Sequence, residues 1–127
     1  MFKEPEQLRA IGYCRMASVS QASNKKFSAQ EEKIARYMAW EDLEYVKGFY
    51  EAGQPGKALM EAYDFCEVQG DITYLVVSDL SRLSRDRKVA QAWVDKFLEL
   101  GIEVLEVRGY NYTINLIHDL PEKSEGR

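Results

Sequence analysis

The chain has 127 residues, 46% hydrophobic and 30% charged, a balance that suits one globular domain and excludes a wholly disordered chain. Its 17 Lys and Arg against 21 Asp and Glu leave a formal net charge of -4, which disfavours nucleic-acid binding by bulk charge, because phosphate affinity comes largely from cations that release counterions. Two cysteines, Cys14 and Cys66, and the single His118 exclude a disulfide framework and argue against a zinc site, and no run approaches the ~18 apolar residues of a membrane span.

Residues 1–10 read as a polar leader without an apolar signal region, so a reduced, cytoplasmic setting is expected. Ile11 to Met16 reads as a short buried strand. Ala17 to Lys26 is small, polar and loop-like. Ser28 followed by Glu31 is a capping-box signature and predicts a helix carrying Ile34, Tyr37, Met38 and Leu43 near one face. Tyr45 to Tyr50 is a second strand, and Glu51 to Lys57 a turn punctuated by Gly53, Pro55 and Gly56. Leu59, Tyr63 and Cys66 have helical spacing, which predicts a helix over 58–68 closed by Gly70. Ile72 to Val77 is the most β-branched run and reads as a central strand covered on both faces. Ser78 to Lys88 is a polar, basic loop leading into a helix over 89–100, with Trp93 and Phe97 on one face and Gly101 after its end. Ile102 to Val107 is the next strand, and Tyr110 to Ile117 one more. The tail over 118–127, with His118 and Pro121, is expected to be flexible.

Strands alternate with helices, which predicts an α/β fold: a single open, mainly parallel sheet of four or five strands with helices on both faces, filling residues 11–117. Sites in such sheets lie at the carboxyl ends of the strands, where the loops after the first and central strands stand. Arg82 to Lys88 holds four cations and one acid within an acidic chain. Arginine presents a donor fork that matches phosphate oxygens, and Arg82 and Arg85 at a helix start would have orphan N–H groups beside them that also favour anions. Without a ligand they oppose the helix dipole. Arg15 ends an apolar strand, where a charge is costly unless paired or solvated. If the first and central strands are neighbours, Arg15 converges on Arg82 and Arg85. Three guanidinium groups around one point would hold a phosphodiester or a dianion. The plainer alternative is a strand-end arginine and a solvated helix start with surface ion pairs.

These residues carry a resemblance. Gly12-Tyr13-Cys14-Arg15 closes the first strand, and Phe27-Ser28-Ala29-Gln30 lies at the first helix. Glu51-Ala52-Gly53 with Gly56 follows the second strand, and Val77-Ser78-Asp79-Leu80-Ser81-Arg82-Leu83-Ser84-Arg85 the third. Their order and spacing resemble the catalytic domain of serine recombinases, the resolvase/invertase and large serine integrase family. In that family a serine two residues after the first-strand arginine attacks a DNA phosphodiester and forms a covalent phosphoserine link. Arginines hold the scissile phosphate, and dimers associate into tetramers. The resemblance therefore implies Arg15, Arg82 and Arg85 as a phosphate clamp, with Gln30 beside it and Gln21 as a looser match.

The departures are chemical. Position 17, that of the nucleophile, is Ala17, and alanine has nothing to attack with. Ser18 and Ser20 are near, but on an extended chain Ser18 points to the opposite side from residue 17. Where the family pattern has Arg-Pro after Gly56, the sequence reads Glu61-Ala62, and an acid there would repel phosphate. No C-terminal DNA-binding domain is read after residue 117. The expectation is a catalytically inactive domain of this type, a binding or regulatory protein of a phage or mobile element. It needs no cofactor or metal and has no membrane partner; its partners are itself, another protein, or weakly held DNA. Two alternatives stay open: an active recombinase domain using Ser18 or Ser20 or carrying an engineered Ala17, and an α/β protein-interaction module without an anion site.

Overall fold

A computed structural model describes residues 7–16 and 24–107. Its elements are β1 (Arg9–Met16), α1 (Asn24–Trp40), β2 (Glu44–Ala52), α2 (Lys57–Gln69), β3 (Ile72–Val77), a single 3-10 turn (Leu80–Arg82), α3 (Arg87–Glu99) and β4 (Glu103–Glu106). The expected strand over 110–117, the tail with His118, and Ala17, Ser18, Ser20 and Gln21 lie outside the described residues.

The four described strands are all parallel, in the order β2-β1-β3-β4. The chain starts in the interior at β1, steps outward to β2, then crosses back past β1 to β3 and on to β4. Right-handed crossovers put connections that run in opposite directions on opposite faces. Accordingly α1 covers one face, where Ile34, Tyr37 and Met38 pack on Ala10, Cys14, Val76 and Leu105. Helices α2 and α3 cover the other, where Leu59, Cys66, Val94 and Phe97 pack on Ile11, Tyr13, Leu75, Val77 and Val104. Alternate residues of each strand feed the two layers, as the period of two requires. This explains the continuous burial of β1 and places β3 inside the sheet, as its composition predicts.

Several boundaries differ from the sequence expectation. Helix α1 begins at Asn24, not after Ser28. Ser28 therefore lies inside the helix and not at its N-cap, which stands outside the helical dihedrals. The helix also stops before Leu43: Asp42 adopts a left-handed φ of 58°, and Leu43 N donates to Met38 O at 2.8 Å. Glu51 and Ala52 extend β2 rather than opening the turn. Helix α3 starts earlier, at Arg87, because Asp86 caps it.

The reversal of strand order falls between β1 and β3. In open α/β sheets the crevice outside the carboxyl ends at such a point is where ligands bind. Met16 ends β1 there, and the loop of residues 78–86 leaves β3 beside it.

Candidate functional site

Arg15 is built into this edge. Its side chain lies on the α2/α3 side, and the residue is 9% exposed. Nε donates to Arg82 O at 2.8 Å, Nη2 to Ser81 O at 3.0 Å and Nη1 to Gly53 O at 3.0 Å. One planar fork thus joins the end of β1 to the loops after β2 and β3. Its charge is met by carbonyl dipoles, and none of these contacts is a carboxylate.

Gln30 of α1 secures Arg15 from the other side. Arg15 N donates to Gln30 Oε1 and Gln30 Nε2 donates to Arg15 O, both at 3.0 Å. The amide pairs with the main chain as a neighbouring strand would, and it satisfies two buried groups at the strand's end.

In the loop after β3, Asp79 caps the 3-10 turn by accepting from Ser81 N at 3.1 Å, and its carboxylate also takes the Ser81 hydroxyl. Arg82 closes the turn, donating from Nη1 to Arg15 O at 3.1 Å and from Nε to Ser78 Oγ at 3.4 Å, with Asp79 at 3.5 Å. Arg85 is exposed and has no ion-pair partner among the described residues.

The two helix starts at this edge are already filled by carboxylates of the chain. Asp86 accepts from Lys88 N at 2.9 Å and Val89 N at 3.4 Å. Glu51, buried, accepts from Gly56 N and Ala58 N at 3.0 Å and from the Tyr13 hydroxyl at 2.6 Å. The expectation that orphan N–H groups beside Arg82 and Arg85 would favour an anion is therefore corrected: Asp86 already accepts from two of them. Attraction for an anion here rests on the guanidinium groups.

Arg15 and Arg85 line one open cleft of about 490 Å³ with Gly53, Gln54, Pro55, Ser84 and Asp86. Arg82 and Gln30 stand behind its wall through their bonds to Arg15. The structure thus joins Arg15 to Arg82 by hydrogen bonds and to Arg85 by a shared cleft. Glu61 lines a different depression, of about 290 Å³, with Tyr50, Glu51 and Lys57. Neither free thiol suits nucleophilic work: burial first, then the charge of Glu31, pushes Cys14 up to about 12, and burial alone does the same to Cys66. Burial, then the bond to Glu51, raises Tyr13 as well.

Sequence reasoning passed over Glu106, and it quoted Tyr13 and Glu51 only as motif positions without a role. Glu106 ends β4, is 4% exposed, and accepts from Leu80 N at 2.8 Å. The signal was present: Glu51 and Glu106 are charges at the ends of strands, the feature that singled out Arg15.

A family model, Resolvase, N terminal domain, matches residues 10–117. No curated protein matches the chain. Among solved structures, a resolvase family site-specific recombinase from Streptococcus pneumoniae aligns with a TM-score of 0.74 at 18% identity, over 94% of this chain and 87% of that one. The N-terminal catalytic domain of TP901-1 integrase aligns with a TM-score of 0.72 at 17% identity, over 92% and 96%. The C-terminal catalytic domain of ISC1926 TnpA, an IS607-like serine recombinase, aligns with a TM-score of 0.69 at 17% identity, over 92% and 78%. At these identities the likeness is one of fold.

Proposed function

The chain belongs to the resolvase N-terminal domain family, and from that membership we propose that it is a recombinase-type domain that does not cut DNA. It acts as a binding or regulatory domain that meets a phosphate backbone weakly through Arg15, Arg82 and Arg85, in company with a second copy or another protein. One observation carries this reading. Arg85 and the carbonyl-held Arg15 share a cleft at the reversal of strand order, while position 17, just past β1, offers no hydroxyl.

The chemistry follows from those parts. Phosphoryl transfer needs a nucleophile in line with the leaving oxygen and cations around the equatorial oxygens. Guanidinium groups supply the second requirement. Alanine cannot supply the first, so a phosphodiester would be held and not cleaved. Affinity stays low because the net charge of -4 opposes long-range attraction.

The test uses the full chain and Ala17→Ser with supercoiled plasmid, followed by a search for protein-linked DNA ends on denaturing gels. A fluorescein-labelled duplex is titrated alongside at several salt concentrations. The expected result is no adduct with the natural sequence and weak, salt-sensitive duplex binding. Arg85→Ala should lower the salt slope by about one. An adduct mapping to Ser18 or Ser20 would overturn the reading in favour of an active enzyme. Absence of any duplex binding at low salt would favour a protein-interaction module.

A further inference from the structure

We propose that Glu106 is a positioning residue for the arginine turn, fixing Arg82 against Arg15 behind the cleft, and the segment that leads on to Arg85, through the main chain of Leu80. This rests on the reading of the arginines as an anion-binding set.

Glu106 is an acid at the end of the outermost of the described strands, yet it is nearly as buried as the core residues Val104 and Leu105 before it. Burying a carboxylate is costly unless strong donors meet it. Here Leu80 N, the first amide of the 3-10 turn, donates to Oε2 at 2.8 Å. The same turn presents its other polar groups to Arg15, which takes the carbonyls of Ser81 and Arg82. One turn of three residues is therefore gripped from two sides. A buried cation from β1 holds its carbonyls, and a buried anion from β4 holds its leading N–H. Pairing of Glu106 with Val77 in the sheet, and the bond from Val107 N to Val77 O at 2.9 Å, fix where that carboxylate stands. Rotation of the turn about either grip alone would swing Arg82 away from Arg15 O.

Glu106 also lines a smaller cavity, of about 200 Å³, with Leu80, Ser81, Ser84, Arg85 and Arg87. Ser84 and Arg85 line the larger cleft as well and Glu106 does not, so its carboxylate borders the cationic segment without lining the cleft.

The experiment compares the natural chain with Glu106→Gln, which keeps an acceptor oxygen, and Glu106→Ala, which removes it. Two readouts separate the inference from the reading beneath it. The first is ligand-free: hydrogen exchange by NMR of the Leu80 amide and of the Arg15 Nε–H that donates to Arg82 O. Loss of a hydrogen bond to a charged group should speed exchange at both by roughly tenfold or more in Glu106→Ala, with substantial rescue in Glu106→Gln. Unchanged Arg15 Nε–H exchange in Glu106→Ala would overturn the inference, whatever the ligand does. The second is binding of the labelled duplex at low salt, where Glu106→Ala should bind several-fold more weakly than Glu106→Gln. Equal affinities in a natural-strength range would also overturn it. If the natural chain binds no duplex, the anion reading fails, and the exchange readout still decides whether Glu106 sets the turn.

Discussion

Arg15 and Arg82 each donate to the other's main-chain carbonyl: Arg15 Nε to Arg82 O at 2.8 Å, and Arg82 Nη1 to Arg15 O at 3.1 Å. Two like charges are thereby held side by side across β1 and the loop after β3. Coulomb repulsion between them is the cost, and four hydrogen bonds to carbonyls, one to a hydroxyl and the Arg82–Asp79 ion pair offset it.

Arg15→Lys tests how far this geometry depends on the planar fork. Lysine keeps the charge but cannot reach three carbonyls in three directions. The expected loss is about 2–3 kcal/mol in urea unfolding, from carbonyls left without donors. Arg85→Ala should change unfolding by less than about 0.5 kcal/mol, because Arg85 is exposed and unpaired among the described residues. If both variants weaken duplex binding but only Arg15→Lys lowers stability, the two arginines divide the work as their environments indicate.

Gln30→Leu removes both bonds to the Arg15 main chain while keeping similar bulk. The buried Arg15 N–H loses its partner, whereas Arg15 O keeps the bond from Arg82 Nη1, so the expected cost is about 1–3 kcal/mol. Gln30→Glu keeps the acceptor and, once ionised, loses the donor. It should fall between the two at low pH, where the added carboxyl is protonated, and approach the leucine variant at neutral pH. Urea midpoints at two pH values read the difference.

Gly12 and Gly48 are paired in register on β1 and β2, and Tyr45 lies over them to reach Glu31. A Cβ at Gly12 would come within 2.7 Å of the Tyr45 hydroxyl and 3.2 Å of Ile34 Cγ2. Gly12→Ala should destabilise by about 1–3 kcal/mol, as overpacking does. Part of that cost resides in the hydroxyl, so Gly12→Ala combined with Tyr45→Phe should be more stable than the sum of the single changes by about 1 kcal/mol. Strict additivity in this double-mutant cycle would show that the clash lies with Ile34 Cγ2 and the Tyr45 ring, both at 3.2 Å, and not with the hydroxyl.

Both thiols bear on alkaline stability. Burial raises Cys14 and Cys66 from 9.0 to about 12 in the folded chain, whereas in the unfolded chain they ionise near the ordinary value. Between those values the unfolded state holds fewer protons, so stability is full below about pH 9 and falls as pH rises toward 12. Urea midpoints measured from pH 7 to 11 should decline over that window. In native conditions at pH 8 both thiols should react with a thiol reagent only at the rate of unfolding. Rapid labelling of either one would contradict the burial.

The sequence alone indicated the four described strands and helices on both faces, because apolar period and β-branched composition are local properties: Ile72 to Val77 reads as a central strand and is one. It also singled out Arg15, since a charge at the end of a buried run must be met by something. Motifs scattered from Gly12 to Arg85 pointed to the resolvase family before any geometry was known. Tertiary structure decided what meets each charge. Arg15 is satisfied by carbonyls 38 to 67 positions away, Glu106 by an amide 26 positions away, and Glu51 by the start of α2 and the Tyr13 hydroxyl. No local pattern specifies those partners. They meet because right-handed crossovers bring the carboxyl ends of four parallel strands to one edge, where buried charges and loop backbone can satisfy only each other.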